Sequence, residues 1–292
     1  VVTVLSLLVV LAIGKESSWI PLGSYQLQPS EFAKIAIIVT FAKFLTERQG
    51  KLNTLRELIP CFLHVGIPML LIVPADLGTS LVFIAITLGM LFVAGANIKL
   101  LLKIFGGGFL LLVLILIAHF KFAMWLPLEE YQLMRLVVFL DPYNDGYNGR
   151  GYGYHIIQSQ VAIGSGGIFG KGLYHGSQVQ LNFLPEHHTD FIFSVVGEEL
   201  GFVGAVGLLV MYFGLLYRAV SIAKAAKDLY GTLLVTGVVS MILFHVLENI
   251  GMSMGLMPIT GIPLPLFSYG GSSMLATMAA LGLVLNVNIR RQ

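Results

Sequence analysis

Every side chain from Leu110 to Ile117 is apolar. A strand in a membrane barrel must alternate lipid-facing and lumen-facing residues, so a run with no polar position excludes a barrel and leaves a helix. Runs of this kind recur along the chain. They fall at approximately 1–13, 31–47, 58–73, 77–94, 100–120, 191–217, 231–250 and 268–289, most of them near the roughly 20 residues that cross a hydrocarbon core. Charged residues are only 11% of the chain against 57% hydrophobic, where a soluble domain carries about a quarter charged. The expected fold is therefore all-α: a polytopic transmembrane bundle of about eight helices forming a single membrane domain over 1–292. The first run is too short to span and has neither the basic leader nor the cleavage site of a signal peptide, so the expectation is that further sequence precedes it.

Basic residues orient the bundle. Arg48, Lys51 and Arg56, then Arg218, Lys224 and Lys227, then Arg290 and Arg291 mark three cytoplasmic stretches. Alternation puts Lys99 on the same side, and places residues 14–30, the turn near Asp76, residues 121–190 and residues 251–267 outside. A net charge of +2 is accounted for by this orientation and gives no reason to expect nucleic acid. The single Cys61 excludes a disulfide framework and a thiolate metal site.

The long outer loop at about 121–190 is where chemistry is expected, because structureless loops of that length are usually functional. Residues 154–163 have helical apolar spacing on one side, as in a short helix lying at the interface. The glycine-rich stretch 164–172 follows, whose free N–H groups suit an anion, although such bends are more often only bends. The densest polar cluster is Glu186, His187, His188, Thr189 and Asp190, just before the run that starts near Phe191. Thr189 or Asp190 at that position reads first as a helix cap. The functional alternative is that Asp190, ionised at neutral pH, takes a proton from a substrate hydroxyl. A metal held by Glu186, His187, His188 and Asp190 lacks any familiar zinc spacing.

Ionisable residues within the spans carry information because burying them is costly. Glu31 and Lys34 are three apart on one helical face, as in an ion pair. Glu198 and Glu199 lie about two turns beyond Asp190 and are candidates to line the same crevice. His245 and Glu248, again three apart, are expected to pair with each other. Pro258, Pro263 and Pro265 with Gly255, Gly261, Gly270 and Gly271 predict irregular backbone before the last helix, tolerated only beside a cavity or within protein.

Taken in order, the stretches 28–34, 153–159, 164–172, 184–193, 197–201 and 261–273 resemble the SEDS family of bacterial shape, elongation, division and sporulation proteins. The Gly261-Ile262-Pro263-Leu264-Pro265 wording is similar to its elongation members rather than its division members. The resemblance implies a ten-helix membrane peptidoglycan glycosyltransferase that polymerises lipid II into β-1,4-linked strands with inversion, at the outer face of the bacterial cytoplasmic membrane. It also implies a class B penicillin-binding protein as partner. By resemblance Asp190 is the catalytic base and Glu31 with Lys34 the family's intramembrane ion pair. Lys171, Arg150, Glu186, His188, Thr189, Glu198 and Glu199 are the accompanying candidates for substrate binding, and a divalent cation, Mg or Mn, is a possible cofactor. A lipid II flippase or a scaffold for the partner synthase would fit the same spans, but neither needs Asp190 as a base.

Overall fold

The computed structural model describes residues 19–22, 25–74, 76–122 and 130–290. The run at 1–13 lies outside them. A two-stranded antiparallel ribbon opens the described chain, β1 Ile20–Leu22 paired with β2 Tyr25–Leu27. The helices follow as α1 Pro29–Thr46, α2 Leu55–Ile72, α3 Leu77–Val93, α4 Ile98–Phe122, α5 Glu130–Leu140, α6 Tyr154–Ser165, α7 Ser177–Gln180, α8 Ile192–Lys224, α9 Leu229–Ser253 and α10 Gly271–Ile289. Among the described residues, α2, α4, α8, α9 and α10 are long and apolar enough to cross a membrane. The chain is an integral membrane protein of the helical class, and the ribbon, α5 and α7 are additions that apolar periodicity did not predict.

Helix starts follow local chemistry. Pro29 opens α1 where its missing N–H costs nothing. Glu57 reaches back to the N–H of Thr54 at 2.9 Å to start α2. Asp76 accepts from the N–H of Thr79 at 2.8 Å at the start of α3, and Asp228 from Gly231 at 2.8 Å at the start of α9. α9 is the central helix, packed against α1, α3, α6, α8 and α10. The ends of the bundle sort as the charge pattern predicts. Gln28 bonds both Asp76 and Ser272 at one end, while Leu52 accepts from Asn97 at the other.

The predicted single helix from residue 191 is two pieces. Gly201 has φ 64° and ψ −163°, outside the helical region and open only to a residue without Cβ. Residues 202–224 beyond the break are about 34 Å long at the helical rise, enough to cross the core alone. The piece Ile192–Leu200 is thus surplus to the span and belongs to the Asp190 end of the bundle, together with α6 and the segment that follows it.

Candidate active site

The glycine-rich stretch 164–172 is not an anion cradle. The N–H groups of Lys171 and Gly172 donate to the carbonyls of Glu198 and Glu199 at 3.0 and 2.9 Å, and Gly170 donates to Gly166 at 2.8 Å. In return Phe202 and Val203 donate to Gly167 and Ile168 at 2.9 and 3.1 Å. The stretch supplies partners for backbone groups that the break at Gly201 releases. A Cβ on Gly166 or Gly170 would collide with the carbonyl oxygens of Gly197 or Glu199, so the glycines are there for backbone approach.

Lys171 completes the same junction. Its ammonium lies 2.7 Å from Glu198 Oε1, which also accepts from Ser177 Oγ and the Gln178 N–H, both at 3.1 Å. Glu198 is fully buried and faces Lys171 rather than a crevice shared with Asp190. Glu199 is half-buried beside it, and Arg150 is exposed on the preceding loop. That loop is organised by Asp145, which sequence reading missed. Its carboxylate accepts from the N–H groups of Tyr147, Gly149, Gly151 and Gly153 at 2.7–3.2 Å. Burial alone would push this carboxyl up, but the four donors hold it at about 2. The Asp-Gly-Tyr-Asn-Gly-Arg-Gly wording was the available signal, an acceptor followed by residues that turn freely.

From this junction α6 is pinned inward by hydroxyls. Ser159 Oγ lies 2.6 Å from Ser194 Oγ and donates to the carbonyl of Ser253 at 2.7 Å, tying α6 to α8 and α9. The pinning brings His155 over Phe191, with ring centroids 6.1 Å apart and 14° between planes.

Asp190 does not cap α8. The capping position is Phe191, and no side chain bonds the first turn. The carboxylate of Asp190 therefore has no structural employment of the kind expected from sequence. Its backbone is fixed instead: Asn249 Nδ2 donates to the Asp190 carbonyl and to that of Ile262, both at 2.8 Å. Ser268 Oγ donates to the Thr189 carbonyl at 2.6 Å, and the N–H of Tyr269 to that of His188 at 2.9 Å. The irregular segment 254–270, predicted from its prolines and glycines, is thus laced to the turn that carries Asp190. Gly261, at φ 74°, brings its backbone against the carboxylate, where any Cβ would lie 3.2 Å from Asp190 Oδ2.

Burial pushes the Asp190 carboxyl up to about 6, from an ordinary 3.8. The negative charge of Glu186 adds to the rise and that of Asp76 adds a little more, while Arg135 and the Thr189 hydroxyl oppose it. Glu186 and His188 are exposed and Thr189 is half-buried around it. Among the described residues no three His, Cys, Asp or Glu side chains converge as a metal ion requires.

Deeper in the bundle, Lys34 and Glu31 form the expected pair at 2.7 Å, both buried. The ammonium also donates to His245 Nε2 at 3.1 Å, which leaves the hydrogen on Nδ1, 3.3 Å from the Pro263 carbonyl. His245 therefore pairs with Lys34 and not with Glu248, correcting the sequence expectation. The cluster supports the 261–268 segment from below while Asn249 holds it from the side.

The whole chain, residues 1–292, matches the model of a family of cell cycle proteins, FtsW/RodA/SpoVE. It is 41% identical over 276 residues to the peptidoglycan glycosyltransferase MrdB of Escherichia coli K12, covering 94% of this chain and 71% of that one. A chain of a peptidoglycan synthase complex that coordinates polymerization and crosslinking superposes with a TM-score of 0.80 at 35% identity, covering 99% of this chain and 79% of that one. The rod shape determining protein RodA of Thermus thermophilus gives 0.67 at 32% identity, with 99% and 76% covered.

Proposed function

Since the chain belongs to the FtsW/RodA/SpoVE family of cell cycle proteins, we propose that it is a peptidoglycan glycosyltransferase of the elongation type, with lipid II as substrate and Asp190 as its general base. The observation that carries the residue assignment is that Asp190 is held by its backbone, leaves its helix uncapped, and has a carboxyl pushed up to about 6. Such a group is ionised at neutral pH yet basic enough to accept a hydroxyl proton.

The 4-hydroxyl oxygen of the acceptor sugar attacks the anomeric carbon of the donor, and its proton passes to Asp190. The bond from that carbon to the lipid diphosphate breaks, and the electron pair leaves with the diphosphate. Attack from the opposite face turns the α linkage into a β-1,4 bond. Diphosphate leaves without a general acid, so one carboxylate suffices where glycosidases use two. With Lys171 committed to Glu198, Arg135, whose charge acts on Asp190, is the favoured cation to meet the negative charge, and the exposed Arg150 is the further candidate on the loop. A magnesium or manganese ion, where one assists, would be held chiefly by the oxygens of the lipid diphosphate, with at most one or two carboxylates from the protein. The active face is the outer one, and a class B penicillin-binding protein is the partner that would crosslink the strands.

The test is polymerisation of labelled lipid II by purified protein with its partner, with a glycosyltransferase inhibitor present to silence class A contaminants. Asp190→Asn is expected to lose roughly a hundred- to ten-thousand-fold in rate. Equal glycan from both proteins would remove the base, and none from the wild type would favour the flippase or scaffold readings.

A further inference from the structure

Tyr269 stands against the turn that carries Asp190, and general-base chemistry leaves it unused. Its side chain is 76% exposed, yet the backbone that carries it is locked. The Tyr269 N–H is bonded to the His188 carbonyl, and Ser268 Oγ both donates to Thr189 and accepts from the N–H of Leu264 at 2.8 Å. These bonds register Tyr269 against the two residues that lead into Asp190. One edge of the ring meets the His188 imidazole, with centroids 5.9 Å apart and planes at 62°. Gly270 and Gly271 follow, and nothing lies within 4 Å of where a Gly271 side chain would begin. The result is a flat apolar face on a rigid mount, with open space beside it.

Lipid headgroups are one possible cover, since tyrosines are frequent at membrane interfaces. An interfacial anchor, however, needs no hydrogen-bonded register to the turn that carries Asp190, and although Phe267 on the same segment is also exposed, the exposed groups of that turn, His188 and Glu186, are polar. A gluco-configured pyranose answers both features. Its hydroxyl and amide substituents lie around the rim, while axial C–H groups make its two faces apolar, so it is recognised by an aromatic plane below and hydrogen bonds at the edge.

We propose that Tyr269, flanked by His188, is the platform on which the pyranose ring of the acceptor sugar rests, turning its 4-hydroxyl toward Asp190. The proposal rests on Asp190 as the base and adds a subsite for one sugar ring. Tyr269 acts by binding: it fixes the ring's tilt and leaves the proton to Asp190.

Glycan synthesis measured against lipid II concentration, with wild type, Tyr269→Phe, Tyr269→Leu and Asp190→Asn side by side, tests it. Phe keeps the plane and is expected to stay within about twofold of wild type, while Leu raises KM about tenfold with a smaller change in kcat. Unchanged KM in the Leu variant overturns the platform, as does a Phe variant that fails as badly as Leu, which would assign the effect to the hydroxyl. Should Asp190→Asn be fully active, the base assignment falls; should it be inactive while the Leu variant behaves as wild type, the platform alone falls. Tyr269→Trp keeps the test independent of whether Leu folds. Its fluorescence, taken as the difference from wild type, is expected to shift saturably with a β-1,4-linked N-acetylglucosamine and N-acetylmuramic acid tetrasaccharide, and an unmoved spectrum counts against the subsite.

Discussion

Acid should silence this protein by protonating Asp190 long before it unfolds the bundle. With its carboxyl pushed up to about 6 from 3.8, the ionised fraction is about nine-tenths at pH 7, half at pH 6 and one-tenth at pH 5. The polymerisation rate is then expected to drop roughly tenfold between pH 7 and pH 5, whereas a carboxyl at the ordinary value would lose less than a tenth over the same interval. Stability moves the other way. A carboxyl whose value is raised by folding binds its proton more tightly when folded, so its ionised form costs stability above about pH 6, and that cost fades as pH falls toward 4. Asp190 therefore gives no reason for the melting temperature to fall while the rate does, and returning the sample to neutral pH should restore activity. Because Glu186 contributes to the rise and Arg135 opposes it, Glu186→Gln is expected to move the acid limb to lower pH and Arg135→Gln to higher pH. The assay is the initial rate of glycan formation in lipid II liposomes at saturating substrate across this pH range. A flat profile to pH 5, or a limb that ignores both substitutions, refutes the assignment.

Lys34→Met strands the buried Glu31 carboxylate and is expected to cost roughly 3–5 kcal/mol in detergent-solubilised thermal unfolding. Replacing both members, Glu31→Gln with Lys34→Met, is expected to recover much of that loss, since the uncompensated charge is gone. Gly170→Ala combines φ 78° with a collision at the Glu199 carbonyl, while Gly167→Ala, at φ 57°, meets nothing within 4 Å. The first is expected to cost clearly more than the about 1 kcal/mol of a simple left-handed alanine, and near-equal melting temperatures for the two would contradict the packed junction.

What was legible in the sequence is what period and charge encode. Apolar runs locate the ends of the described spans to within three residues except at the end of α8, which runs seven residues past 217, the Arg and Lys clusters give their alternation, and the Glu31–Lys34 spacing gives the ion pair. The misreadings share a cause: each concerned who satisfies a backbone group. The stretch 164–172 leaves an anion cradle and a plain bend both open in sequence, because nothing in its composition says that α8 breaks at Gly201 and releases carbonyls toward it. The count of turns from Asp190 to Glu198 fails because Asp190 precedes the helix, which starts at Ile192, and because Lys171 takes the Glu198 carboxylate. Asp145 and Asn249 were overlooked because their partners are main-chain atoms, which carry no residue identity.

The same point explains why Asp190 can be basic without being disordered. Holding a carboxylate by its oxygens, as four N–H groups hold Asp145 at about 2, fixes it in place but makes it a poor base. Asp190 is held by the opposite end: its carbonyl is taken by Asn249 and the carbonyls of His188 and Thr189 by the 268–269 backbone and hydroxyl. Position comes from the main chain, and basicity from a side chain left short of donors beside Gly261. A segment regular enough to satisfy its own backbone could not offer those carbonyls, so the irregular 254–270 stretch and the uncapped start of α8 are what allow one carboxylate to be both placed and reactive.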